Sequence, residues 1–140
     1  MGISTQVPTI VPLRDLGPDE RGASFSVPLE QLDFLGAAKD VHVASIGPGH
    51  VRGNHFHVVR RELIIVLPHE HWSVHWDTGE GTDVLTHTFC DSGATAIAIP
   101  PGCAHAIRND GGTPLWLIAS TDGVYDGSRP DAYGRVVTRS

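Results

Sequence analysis

The stretch Gly49-His50-Val51-Arg52-Gly53-Asn54-His55-Phe56-His57-Val58-Val59-Arg60-Arg61-Glu62 decides how this chain folds. In an extended strand successive side chains alternate faces, so His55 and His57 point the same way, roughly 6–7 Å apart, and their imidazoles converge on one point. Glu62, five residues on, fits the start of a returning strand. His105, in Pro100-Pro101-Gly102-Cys103-Ala104-His105, has to arrive from a second hairpin folded over the first. That demands a closed or sandwiched β architecture and not an open sheet. Three neutral imidazoles and one carboxylate suit a single borderline divalent ion such as zinc, iron, manganese, nickel or copper, with water or substrate in the open positions.

Outward from this stretch the chain reads as strand after strand. Alternating or doubly apolar runs are expected as strands over residues 41–46, 51–58, 62–67, 71–76, 84–89, 95–99, 105–108 and 114–120. Breakers separate them at Pro68, Thr78-Gly79-Glu80-Gly81, Asp91-Ser92-Gly93, Pro100-Pro101-Gly102 and Asn109-Asp110-Gly111-Gly112. Many short strands at even spacing without a long helix predict an all-β sandwich or jelly-roll barrel. Residues 1–39 are expected to form an arm with a short strand and, over Pro28 to Leu35, one or two helical turns; residues 40–120 the barrel; and residues 121–140 a tail that wraps the barrel or a partner subunit. The runs Leu63 to Leu67 and Leu115 to Ala119 are apolar on both faces, which predicts a homodimer covering the outer one.

Composition narrows the function classes. At 140 residues the chain is long enough for one domain with one core. A net charge of −6 without a basic run argues against a nucleic-acid surface. No apolar stretch approaches the ~20 residues that cross a membrane, and the first residues lack the pattern of a signal peptide, so a cytoplasmic location is expected. Two cysteines, Cys90 and Cys103, make neither a disulfide framework nor a Cys-rich zinc site. On a regular strand, Cys103 would share the face of His105 and look into the pocket.

Gly49, His55, His57 and Glu62, followed by Pro100, Gly102, His105 and Asn109, match eight positions of the two motifs that define the cupin superfamily, in the same order. The chain departs from the pattern at His69, where the first motif ends in Gly, and at Gly93, one residue early for the second. This resemblance implies a cupin-type jelly roll with His55, His57, Glu62 and His105 as ligands of one divalent metal ion. Arg52-Gly53-Asn54-His55-Phe56-His57 and Pro130-Asp131-Ala132-Tyr133 further resemble segments of the cupin domains fused to sugar-nucleotide reductases in capsular-polysaccharide assembly, a family whose cupin is similar in role to a sugar-nucleotide epimerase.

The expected function is therefore a metal-dependent isomerase or epimerase acting next to a carbonyl of a small, sugar-derived substrate. The same ligand set equally serves an iron- or manganese-dependent dioxygenase, and a non-catalytic ligand-binding module is the third reading. Candidate bases are His87, Tyr125 and Tyr133, with Glu62 available after ligand exchange. Arg52 and Arg108 are candidates for an anionic substrate, Arg52 if a bulge at Gly53 turns it inward. Trp72 and Trp76 are candidate pocket walls. The six remaining histidines, at positions 42, 50, 69, 71, 75 and 87, read singly as strand or loop residues and not as ligands.

Overall fold

The computed structural model describes residues 7–124, 128 and 131–140. In chain order its elements are β1 (Thr9–Pro12), β2 (Arg14–Asp15), β3 (Phe25–Ser26), α1 (Leu29–Leu35), β4 (Asp40–Ile46), β5 (Val51–Phe56), β6 (Glu62–Val66), β7 (His69–Trp76), β8 (Leu85–Ser92), β9 (Thr95–Ile99), β10 (His105–Asn109), β11 (Leu115–Thr121) and β12 (Tyr133–Gly134). They build two five-stranded antiparallel sheets, ordered β1-β9-β6-β11-β4 and β12-β5-β10-β7-β8, with β2 and β3 as a separate ribbon. The chain is an all-β jelly roll with one short helix. Among the described residues, no helix is long and apolar enough to cross a membrane.

The core lies between the two sheets. Ile46, Ile64, Val66, Ile97, Ile99, Leu115 and Leu117 from the first meet Trp72, Val74 and Ile107 from the second. Every second residue of β6 and β11 enters this core, as the period of a strand requires. The other face of β6 and β9 meets the chain's own N-terminal segment: Leu63, Ala96 and Ala98 pack with Leu13, Phe34 and Leu35. The double-sided apolarity of Leu63 to Leu67 is thus explained within the chain and does not by itself call for a partner. What stays bare on that sheet is farther along, where Val41, Val43 and Trp116 are exposed.

Three strand boundaries lie two or more residues from expectation: the end of β5, the start of β7 and the end of β8, which runs on through the expected breaker to Ser92. Strand β5 stops at Phe56 because the N–H groups of Val58, Val59 and Arg60 bond to the Asp131 carboxylate instead of a neighbouring strand. Strand β7 starts at His69 because His69 already pairs with Ser92. His69 also explains why no glycine is needed there: its Nε2–H donates to Oδ1 of the fully buried Asn109 at 2.9 Å. The Asn109 amide in turn donates to the carbonyls of Ile46 and Thr113 and accepts from the Gly111 N–H, so its hydrogen-bonding groups are all partnered and three turns are tied together.

Candidate metal centre and its cavity

A β-bulge prepares the site. Opposite β10, His55 pairs with His105 but Gly53 pairs with Ala106, so Asn54 is an extra residue on β5. Asn54 takes a left-handed backbone (φ 59°), and its side chain accepts from the N–H of Val137 and Thr138, which fastens the C-terminal tail to the bulge. Gly53 has φ 112°, and a Cβ there would meet the His105 carbonyl oxygen at 2.5 Å. Only glycine fits. The extra residue also shifts the alternation, so Arg52 faces the same cavity as His55 and its Nε–H donates to the Ser45 carbonyl at 2.7 Å.

His55 and His57 from β5 and its turn, Glu62 at the head of β6 and His105 at the head of β10 offer ligand atoms within 4.8 Å of one another. Two of the rings have their tautomers set from behind. His57 Nδ1 faces the Asp131 carbonyl, and His105 Nδ1 faces the Cys103 carbonyl at 3.1 Å. A carbonyl only accepts, so each Nδ1 carries the proton and each neutral ring turns a bare Nε2 lone pair toward Glu62, at 3.6 Å from His57 and 2.8 Å from His105. His57 Nε2 is buried with no hydrogen-bond partner. Lone pairs directed at a carboxylate repel unless a cation sits among them, and backbone carbonyls behind the rings are the usual support of a histidine ligand. The donor set therefore fits a divalent metal ion.

In place of a cation, a proton on either ring serves the same end. Burial would raise the Glu62 pKa, but His105 and His57, when protonated at Nε2 beside it, outweigh burial and hold the carboxyl well below its usual range. Burial lowers His57, and the facing Glu62 more than reverses this, leaving it raised. Burial and the neighbouring His105 push His55 down to about 4, so it is neutral near pH 7 and ready to ligate.

Two cavities open on the cluster. One of about 440 Å³ runs toward the core under Arg52, Ala44 and Ile107, and one of about 430 Å³ opens toward Asp131 and Ala132. Three residues line both: His55, Glu62 and His42. His42 Nδ1 lies 3.2 Å from Asp40 Oδ2, its partner at i−2 on the same face of β4. Sequence reading passed over this pair, although Asp-x-His on a strand places both side chains together.

Other candidates lie elsewhere. His87 stacks on Phe89 and lines a third cavity, against the N-terminal segment at Val11 and Phe25. Trp72 is fully buried in the core, stacked on Phe89 with its Nε1–H on Ser92, because its place on β7 turns it between the sheets. Trp76 packs against the same core and lines neither cavity on the cluster. Arg108 pairs with Asp110 and Thr138, on the face opposite to its core neighbour Ile107. Tyr133 is half exposed and packs on Phe56, outside both cavities. Tyr125 falls outside the described residues. Cys103 precedes β10 and not within a regular strand; its thiol is buried in the core, and burial raises its pKa.

The fold is shared with solved structures. The dTDP sugar isomerase of Desulfovibrio desulfuricans G20 superposes with a TM-score of 0.74 at 18% identity, over 93% of this chain and 84% of that one. ChmJ, a 3'-monoepimerase from Streptomyces bikiniensis solved with dTDP-quinovose, gives 0.72 at 15% identity over 95% and 71%. The capsular polysaccharide assembling protein CapF of Staphylococcus aureus gives 0.64 at 23% identity over 91% of this chain, which spans only 33% of CapF. No curated protein sequence matches. The model of the polysaccharide biosynthesis C-terminal domain matches residues 19–133, most of the jelly roll and its metal-type cluster, and the chain belongs to that family.

Proposed function

We propose that this chain is a metal-dependent isomerase or epimerase that moves a proton next to the carbonyl of a sugar-nucleotide substrate. The observation that carries the reading is the convergence of the unpartnered His57 Nε2 with His105 Nε2 and Glu62, backed by carbonyls on the far side of both rings, at the floor of two cavities. His55, His57, Glu62 and His105 would hold one divalent ion. When bound, such an ion supplies Lewis-acid polarisation of a carbonyl. The chain's own residues then do the rest. Arg52 lines the inner cavity as a cation for an anionic substrate group, and Ala44, Ile64, Ile107 and Leu117 form apolar walls that keep water from the reacting carbon. The support from relatives is that solved proteins sharing this fold are named as a dTDP sugar isomerase, a 3'-monoepimerase and a sugar 3,4-ketoisomerase.

The test begins with elemental analysis of protein purified without chelator. The protein is then incubated in heavy water with TDP-4-keto-6-deoxyglucose, the ligand of a solved structural neighbour. Deuterium should enter at carbon beside the carbonyl, because an abstracted proton exchanges with solvent before return. Oxygen consumption without deuterium entry would replace this reading with the dioxygenase, and neither signal would replace it with a binding module.

The proposal includes a cytoplasmic homodimer. Its support is the edge strand β4, whose outer face carries Val41 (59% exposed) and Val43 (62%), with Trp116 (49%) on the adjoining β11. Light scattering during gel filtration should give twice the 15.0 kDa chain mass, and Val43→Glu should give the monomer. A monomeric mass for the unaltered chain refutes it.

A further inference from the structure

We propose that His42, oriented by Asp40, is the base that takes the proton from the carbon beside the substrate carbonyl. The inference rests on the isomerase or epimerase reading above and names the group that reading leaves open.

Position is the first argument. Along β4, Asp40, His42, Ala44 and Ile46 share the inner face, and Ala44 and Ile46 pack into the core between the sheets. The same row, followed outward, passes from core to cavity at His42. Across the sheet, Asp40 pairs with Thr121 and Thr121 with Glu62, while His42 pairs with Ala119 and Ala119 with Ile64. His42 therefore stands two strands over and one inward-facing position along from Glu62. Ideal strand spacings put their Cα atoms about 12 Å apart. Both side chains line both cavities, so a substrate group held there would lie between them.

Elimination is the second argument. A base must lie in the cavity and have a nitrogen or oxygen to spare. Of the ionisable groups that line the two cavities on the cluster, His55, His57, Glu62 and His105 are the metal-type donors. Asp131 has its carboxylate on three backbone N–H groups, and Asp40 faces His42. Arg52 and Arg60 are permanent cations. Among the described residues that leaves His42. With Nδ1–H given to Asp40, its Nε2 lone pair is available, which is the base-and-orienter arrangement of general-base catalysis.

The step balances without a further reactant. On an α-hydroxy ketone, the C–H bond beside the carbonyl breaks and its proton passes to His42 Nε2. The electron pair forms the carbon–carbon double bond, and the carbonyl oxygen, facing the cluster, takes the negative charge. One proton then moves between the two enediolate oxygens. His42 returns its proton to the former carbonyl carbon, and the neighbouring carbon becomes the new carbonyl.

The experiment compares deuterium entry into TDP-4-keto-6-deoxyglucose for the unaltered protein, His42→Gln, His42→Ala and Asp40→Asn, with metal content measured on each. His42→Gln should keep its metal and lose at least about 100-fold in exchange rate, the usual contribution of a general base. Added imidazole should restore part of the exchange to His42→Ala, a rescue that a merely structural role would not allow. Asp40→Asn should fall between the unaltered protein and His42→Gln. Exchange by His42→Gln within threefold of the unaltered protein overturns the inference while leaving the proposed function intact, and so does loss of metal from that variant. No exchange by the unaltered protein overturns both.

Discussion

Asp131→Ala offers a way to measure how far the C-terminal tail supports the proposed metal centre. The Asp131 carboxylate accepts the N–H groups of Val58 at 2.9 Å, Val59 at 3.0 Å and Arg60 at 2.9 Å, and its main-chain carbonyl takes the His57 Nδ1–H. One residue thus clamps the turn between β5 and β6 and fixes the ring of His57. Removing the carboxylate forfeits three hydrogen bonds. Water reaches this turn, so each is set at the low end of the net range, about 0.5–1 kcal/mol, or about 2 kcal/mol together. If the turn must be re-ordered each time an ion binds, that cost appears in the binding free energy, as a fall of about thirty-fold in affinity. The figure lies within the 10–100-fold typical of losing a group that supports a metal ligand. Asp131→Asn keeps one acceptor oxygen and should fall in between. The assay is competition for zinc against a chromophoric chelator at pH 7, with circular dichroism to show that both variants are folded. Affinity of Asp131→Ala within threefold of the unaltered chain would refute the clamp.

Three further outcomes are expected. His57→Ala should lose most of the bound metal by plasma mass spectrometry, and occupancy in the unaltered chain should fall below about pH 6 as imidazoles are protonated; stoichiometric metal in the variant would remove His57 from the ligand set. Asn109→Ala leaves four groups without the partner that joined them, two in buried and two in part-buried bonds, and at about 1 kcal/mol for each bond should cost about 4 kcal/mol in urea unfolding; a loss below 1 kcal/mol would contradict that network. Asp77 is pushed up by burial but held below the usual carboxyl range by its bonds from Arg135. Its contribution is therefore complete above the unfolded pKa of about 3.9 and is lost as pH falls toward the depressed folded value. Arg135→Gln should flatten this acid dependence of stability; an unchanged acid limb would show that the pair does not couple to folding.

The strands and the His55–His57 pair were legible in the sequence because both rest on short-range rules, while Glu62 and His105 were named by their resemblance to the cupin motifs. Alternation decides which residues share a face, and breakers decide where strands stop. His55 and His57 are an i, i+2 pair, and the bulge at Gly53 is a local event that a glycine advertises. Where reading along the chain fell short, the deciding contact was distant. Asp131 clamps a turn more than seventy residues away. Trp72 and His87 have neighbours chosen by the packing of β7 and β8, which sends one into the core and the other to a separate cavity. The apolar outer face of Leu63 to Leu67 invited a partner subunit, and the chain's own α1 covers much of it.

The sequence by itself determined the succession of short strands and the face shared by His55 and His57, since both follow from spacing along one backbone; the jelly roll and the addition of Glu62 and His105 to the donors came with the resemblance to the cupin motifs. Tertiary structure decided what those donors face and what stands across from them. The Asp131 and Cys103 carbonyls select the tautomers of His57 and His105, and the registers of β11 against β4 and against β6 bring His42 and Glu62 to the same cavities. Such relations join residues far apart in the chain, and no local spacing contains them until the two sheets have closed on their common core.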